Sequence, residues 1–404
     1  MLQTQFDVLI VGAGVAGTAL AKQYSQLGLH VCLIDEQDGP GRCTSAHAGA
    51  ITHPALGRTA SKLHKIALAA FRLAANDWQE YWESRGVFLL SKEHVSFDAA
   101  ALSEKLHHLG IGADIAELVS LEQAKQRFGV NRPGVWFRTA GSMNLGKLCQ
   151  HLVLGNYSVH TIWSTKVARI EKASGNWLAF DDDNNQLAKA QTIVLANAFG
   201  AQTLVEPFNI KLFLKPVRGQ LNVFEFTKES GLLARLPKTI VSGEGYCLPP
   251  RYDAVRKNYQ WLVGSSYDEH DDSLLPRSQS DQHNLELAKG MLAPIEPDFS
   301  SLKTFDRFVG IRCVTKDRLP LIGGLPTLDN VYVVSALGSR GLLWATLASY
   351  AIPALSHSSA FALDRLARFG LDSDLLSSLS PARFLAGALA SNSKPIFPPT
   401  PKAR

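Results

Sequence analysis

Residues Phe6 to Val11 form an apolar run that ends at Gly12, Gly14 and Gly17, and this junction constrains the fold more than any other segment. A short apolar run closed by glycines reads as a strand of a parallel sheet, buried on both faces. Leu20, Tyr24 and Leu27 follow at i, i+4 and i+7, the stripe of a helix, and Gly28 stands where that helix would stop. His30 to Asp35 supplies a second strand. Strand, helix and strand within about thirty residues make a β–α–β unit.

The spacing Gly-x-Gly-x-x-Gly, with Val15 and Ala16 inside it, serves a tight turn, close approach of backbone to a pyrophosphate, and packing of helix on strand. The helix amino terminus then faces the phosphates. Asp35 lies eighteen residues past Gly17, where a carboxylate accepts bonds from adenosine ribose hydroxyls, and Glu36 follows it. NAD and FAD share this fingerprint, so other segments decide between them. The loop GPGRCTSAHAGAITHP, which holds Ser45, Ala46, His47, Gly49 and Ala50, has the small residues that suit backbone lying along a flavin. Late in the chain VYVVSALG leads into SRGLLWATLASYAI, where Gly338, Ser339, Arg340, Gly341 and Leu342 open a second helix. Its amino terminus would stabilise an anionic reduced flavin, so FAD is the expected cofactor. Val167, and Ala196, Asn197 and Ala198 at the end of QTIVLANA, complete the expected cofactor contacts.

Between these segments the pattern predicts a long helix from Ala60 to Arg85, stopped by Gly86, then helices ending at His108, over Leu121 to Phe128, and from an Asn144 cap to Leu154. VARIEKA and NWLAFDD read as a hairpin, and QTIVLANA as a buried strand. IKLFLKPVRGQLNVFEF, GYCLP and YQWLVGSSY read as strands ahead of a helix around residues 279 to 292. The expected fold is α/β: an FAD-binding Rossmann-like domain of glutathione-reductase type with an inserted, mainly antiparallel α+β substrate domain. Residues 1–86, 141–205 and 306–360 would form the first, residues 87–140 and 206–305 the second, and residues 361–404 a carboxyl-terminal extension whose proline-rich basic tail is expected to be disordered.

Five cysteines with no CxxC pair argue against a disulfide framework or zinc site and for a reducing compartment. A strand that begins by residue 6 leaves no room for a signal peptide, and no run of 18 apolar residues predicts a membrane span, so a cytoplasmic location is expected. The net charge of +5 is compatible with an anionic partner without requiring one. No Ser-His-Asp arrangement and no metal-ligand spacing is present.

GAITHPAL, GSMNLGKLC, KPVRGQLN, GIRCVTKDRLPLIG and ALGSRGL together resemble FAD-dependent amine and amino-acid oxidoreductases of the D-amino-acid oxidase and glycine oxidase type, over the chain to about residue 355. The pair RCxTxDxLPxxG and ALGSRGL is similar to the branch in which an FAD domain, joined to a methyltransferase, converts 5-carboxymethylaminomethyluridine at the tRNA wobble position to 5-aminomethyluridine. Two departures stand out. A methyltransferase half is not in this sequence, so methylation of the product would need a separate enzyme. Ala46, His47 and Ala48 replace the polar Asn-Arg-Gln stretch usual in that branch, which leaves room for a different substrate.

The resemblance implies hydride removal from the carbon between an amine and a carboxylate, followed by hydrolysis of the imine. Arginine is the natural partner of that carboxylate. Arg312 occupies the position at which glycine-oxidase-like members hold it; the plainer reading is an arginine tying two strands together. Tyr246 would donate a hydroxyl to the same carboxylate, wall the pocket, or serve as an ordinary strand tyrosine. Arg218 and Gln220 are expected as sheet residues near the site. Cys313, Gly310, His47 and His53 fall where some relatives attach flavin covalently, but the register against the family motif and the commoner role of loop histidines argue against attachment here. The tRNA reading offers Lys62, Lys65, Arg72, Arg251, Arg256 and Lys257 as phosphate contacts. The competing readings are an oxidase of a free small amine such as glycine or sarcosine, and a flavin-binding scaffold without catalysis.

Overall fold

The computed structural model describes residues 5–57, 60–92, 97–154, 158–292 and 299–384. The proline-rich tail lies outside them. Gln5–Val11 is the central strand of the first sheet, with Val31–Ile34 parallel on one side and Gln186–Leu195 parallel on the other. Val159–Ile162 extends the sheet beyond Val31–Ile34, and Val331–Ser335 extends it beyond Gln186–Leu195, both parallel. Alternation divides the side chains. Val8, Ile10, Val31 and Leu33 pack with the helices Val15–Gln26, Lys62–Asp77 and Gly341–His357. Leu9, Val11, Cys32 and Ile34 pack on the opposite side with Trp177 of the hairpin Arg169–Ala173 and Asn176–Phe180. Burial on both faces is why these strands read as continuous apolar runs.

The second sheet is antiparallel apart from the join of Ile240–Ser242 to Ser84–Leu90. Its longest pairing sets Lys215–Phe226 against Lys303–Val314, with Val217 opposite Arg312 and Gly219 opposite Gly310. Ala50–Thr52 joins it through Gly134–Met143. The chain thus forms the expected α/β architecture, a nucleotide sheet with a parallel centre and antiparallel additions beside a mainly antiparallel sheet.

Three element expectations need correction. The helix predicted to reach Arg85 ends at Asp77, and Ser84–Leu90 is a strand. The Asp77 carboxylate takes bonds from Tyr350 and Arg365, while the Trp78 indole N–H donates to Thr346 at 2.7 Å. These long-range contacts end the helix although Tyr81 and Trp82 keep its apolar spacing. The strand predicted from Ile210 starts at Lys215, since Phe213 adopts φ +53, which a strand cannot hold. The strand predicted through Tyr267 ends at Gly264, and Ser265 to Tyr267 leave the sheet toward the site. Asn144, by contrast, caps Leu145–Val153 through its side chain as expected, and Leu121–Phe128 has the predicted bounds.

Candidate active site

One continuous cleft of about 1370 Å³ runs along the carboxyl ends of the parallel strands and on to the second sheet. That exceeds the roughly 300–1,000 Å³ of ordinary small-molecule pockets and gives room for a dinucleotide and a substrate together. At the nucleotide end the glycines are sterically required. Gly12 has φ +102, and a Cβ there would lie 2.7 Å from the Ala196 and Asn197 backbone. A Cβ on Gly17 would fall 1.8 Å from the Gly12 carbonyl oxygen. The Val15 amide, at the start of the helix, points at Ser45 Oγ at 3.0 Å.

Asp35 ties this end together by accepting from the amides of Ala13 and Gln37 (2.8 Å for the latter). Loss of solvent raises its pKa, and those two amides pull the other way. The Asn197 side-chain oxygen is buried without a hydrogen-bond partner among the described residues. An orphaned acceptor and a backbone pinched by obligatory glycines fit a bound dinucleotide, which would supply the missing donor. Glu36, Ala50, Val167, Ala198, Gly338, Ser339, Gly341 and Leu342 also line the cleft. Of the expected cofactor residues, Gly17, Ala46 and Gly49 do not: Gly17 packs on Gly12, Ala46 closes the short turn Thr44–Ala46, and Gly49 faces Leu248 and Leu262.

At the far end Arg312 comes off Lys303–Val314 and crosses over Gly219 on the neighbouring strand. Its Nη1 donates to the carbonyls of Arg218 and Ser266, both at 3.3 Å, and its Nη2 to Ser265 Oγ at 2.6 Å. The guanidinium lies 5.4 Å from the Tyr267 ring. Three bonds leave two of the five N–H donors, Nε–H among them, with no partner among the described residues, and no carboxylate pairs with Arg312 there. Burial lowers its pKa, but arginine stays charged. Arg340, also in the cleft, has its pKa lowered by burial.

Tyr246 and His47 stand beside Arg312. Tyr246 Oη is 3.0 Å from His47 Nε2 and donates to the Gly49 carbonyl at 3.1 Å, while the Gly49 amide donates to His47 Nδ1 at 3.0 Å. His53 bonds Pro54 O and Ser242 Oγ through its two ring nitrogens. Cys313 lines the cleft with its thiol pushed up to about 11 by burial, and Gly310 offers no side chain for attachment.

Other expectations fare differently. Arg218 and Gln220 are sheet residues, but alternation turns both away from Arg312, into a buried network on the opposite face. Arg218 there pairs with Asp268 at 2.9 Å and donates to Ser280 Oγ and to the carbonyls of Ser273 and Leu275. The Gln220 amide nitrogen donates to Asp281 at 2.7 Å. None of Lys62, Lys65, Arg72, Arg251, Arg256 and Lys257 lines the cleft. Lys62, Arg251 and Arg256 are ion-paired with Asp374, Glu83 and Glu225. Gly219, Ser265, Ser266 and Tyr267 were missed. Only Gly219 carried a signal, since glycine inside a strand marks a close approach by another group.

Among the described residues no cluster of three or more His, Cys, Asp or Glu could hold a metal ion, and no helix is long and apolar enough to cross a membrane.

The chain is 30% identical to the tRNA 5-methylaminomethyl-2-thiouridine biosynthesis bifunctional protein MnmC of Cupriavidus necator, over 94% of this chain and 60% of that protein. It therefore spans about 60% of the length of the curated relatives it matches. The fold is shared with glycine oxidase from Geobacillus kaustophilus, at a TM-score of 0.71 and 19% identity over 91% of this chain and 98% of that one. It is shared also with L-alpha-glycerophosphate oxidase from Mycoplasma pneumoniae with FAD bound, at a TM-score of 0.72 and 18% identity over 88% and 95%. Residues 7–352 match the DAO family, described as FAD dependent oxidoreductase. With the glycine-pinched strand end, the orphaned acceptor and the unpaired arginine in one cleft, this match makes the chain an FAD-dependent oxidoreductase of the DAO family.

Proposed function

We propose that this chain oxidatively removes the carboxymethyl group of 5-carboxymethylaminomethyluridine at the tRNA wobble position, giving 5-aminomethyluridine and glyoxylate. The substrate is in effect an N-substituted glycine. The observation that carries the reading is the setting of Arg312: a half-buried guanidinium with unpaired donors lies against Tyr267, a residue still 45% exposed, so the carboxylate site is one side chain from solvent. Leu274, also on the cleft, is 65% exposed. An open mouth of this kind suits a group presented on a macromolecule better than a free amine sealed under a lid. The kinship to MnmC supports the same reading.

Bound FAD would supply the hydride acceptor for oxidation of the methylene carbon. The side chains do the rest. Arg312 fixes the carboxylate and so orients the methylene between two anchored groups. The amine proton passes to solvent, and water adding to the imine carbon releases glyoxylate and the primary amine. Thr44, whose hydroxyl donates to the Ile311 carbonyl at 3.0 Å, ties the flavin-side loop to the strand that carries Arg312. A methyltransferase is the class of enzyme that would act on the aminomethyl product.

None of the six expected tRNA contacts lines the cleft and three of them are ion-paired, which favours the second reading, oxidation of a small N-alkyl glycine. The deciding experiment incubates the FAD-loaded protein with tRNA bearing 5-carboxymethylaminomethyluridine and reads the wobble nucleoside by mass spectrometry. Loss of the carboxymethyl mass, abolished by Arg312→Ala, supports tRNA as substrate. An unchanged nucleoside in a protein whose flavin is bleached by sarcosine moves the assignment to small amines.

A further inference from the structure

His47 stands between Ala46 and Ala48, and its ring closes a small cycle of hydrogen bonds with Gly49 and Tyr246. A neutral imidazole has one N–H and one lone pair. The Gly49 amide already points its hydrogen at Nδ1, so Nδ1 is the acceptor and the ring proton sits on Nε2. That proton faces Tyr246 Oη at 3.0 Å. The tyrosine's own proton goes to the Gly49 carbonyl at 3.1 Å. The reverse polarity would set a ring N–H against the Gly49 N–H. Loss of solvent, with the Arg312 charge next in weight, pushes the His47 pKa down to about 4, so the neutral ring is the form present near neutral pH. Burial also raises the Tyr246 pKa and keeps its proton in place.

Tyr246 Oη has therefore spent its single donor and received one, and one lone pair remains. A lone pair repels a carboxylate and attracts an N–H. We propose that His47 is a positioning residue that fixes the polarity of the Tyr246 hydroxyl, making Tyr246 the acceptor for the substrate's amine N–H and leaving the carboxylate to Arg312. This deepens the reading above, resting on it for a substrate with an amine one carbon from a carboxylate. It also replaces the expectation that Tyr246 donates to the carboxylate. The division of labour selects for amines that keep an N–H, primary or secondary, and against tertiary ones.

Two measurements on the full, FAD-loaded chain test it. Long-range ¹H–¹⁵N correlation of histidine-labelled protein at neutral pH, with His47 assigned from His47→Gln, should show Nε2 protonated and Nδ1 bare. A proton on Nδ1, or a charged ring, overturns the proposal whatever the substrate proves to be. The second measurement compares Tyr246→Phe with the parent for two probes. Binding of propionate, a carboxylate without an amine, read from the flavin absorbance, should change by less than about twofold, while flavin reduction by the carboxymethylamino substrate (the tRNA, or sarcosine if only that reacts) should slow by about tenfold, the loss of one hydrogen bond to the reacting group. A tenfold loss of propionate affinity in Tyr246→Phe would instead restore Tyr246 as a carboxylate donor. His47→Gln, which keeps a donor near Tyr246, should retain more activity than His47→Leu, and equal losses in the two variants count against a polar role. If neither amine reduces the flavin, the proposed reaction fails, while the tautomer and the propionate comparison still judge this inference.

Discussion

Gly219→Ala separates the fold from the site in a single methyl group. A Cβ at this position would stand 2.3 Å, 2.4 Å and 2.5 Å from Nη1, Nη2 and Cζ of Arg312. Non-bonded carbon contacts settle at roughly 3.5–4.0 Å, so the guanidinium must withdraw by about 1 Å or more. The group displaced is the free end of a flexible side chain, so the strand itself need not move. The folded state gains about 0.5–1 kcal/mol from replacing a strand glycine and loses part of three Arg312 hydrogen bonds worth about 1 kcal/mol each. Net stability should therefore change by less than about 2 kcal/mol. Catalysis should suffer more, because a misplacement of about 1 Å costs on the order of 10²-fold. The assay pairs stopped-flow flavin reduction with urea unfolding for Gly219→Ala, Arg312→Ala and the double variant. The expected result is a kcat/KM lowered about 100-fold, near-normal unfolding, and a double variant no worse than Arg312→Ala alone. Wild-type kcat/KM in Gly219→Ala, alongside a disabled Arg312→Ala, would refute the claim that this slot aims the guanidinium.

Three further outcomes are expected. Gly12→Ala puts a Cβ 2.7 Å from rigid backbone at φ +102, so the protein should purify with its flavin largely lost, as the ratio of visible to ultraviolet absorbance will report. Arg218→Met removes the partner of Asp268, whose side chain is 36% exposed, and the donor to the Ser273 and Leu275 carbonyls, and should cost about 2–3 kcal/mol in urea unfolding; a loss under about 1 kcal/mol would mean the network is dispensable. For His47 the folded pKa of about 4 lies below the ordinary 6.5, so above pH 6.5 both states are neutral and nothing is lost. Between pH 6.5 and 4 only the unfolded chain takes up the proton, and stability should fall by up to roughly 3 kcal/mol, with His53 acting in the same direction. His47→Gln should flatten that acid limb, and an unaltered slope would contradict the shift.

The nucleotide end was legible because its signals are local: Gly12, Gly14, Gly17 and Asp35 lie within one β–α–β unit. Arg312 could be singled out through its motif, but its surroundings could not. Ser265, Ser266 and Tyr267 meet it only because the chain leaves the sheet after Gly264, which the apolar pattern of that strand does not announce. Arg218 and Gln220 show the same limit. Alternation puts them on one face together, but which face lines the cleft depends on the pairing of Val217 with Arg312, 95 residues downstream. For the surface cations, Glu83, Glu225 and Asp374, remote in sequence, pair with three of the six, and such pairing cannot be read along the chain.

The order of strands in the parallel sheet bears on how the chain is made. Gln5–Val11 leaves the ribosome well before its neighbour Gln186–Leu195, which follows more than 170 residues later, and Val331–Ser335 must still pair with that neighbour. Until then the hydrogen-bonding edge of Gln186–Leu195 and the apolar face awaiting Gly341–His357 are open to other chains. At about 5–20 residues per second, the nascent protein spends on the order of ten seconds in that state. Slow codons or scarce chaperones late in translation should therefore lower the yield of folded protein more than the same delay within the first hundred residues.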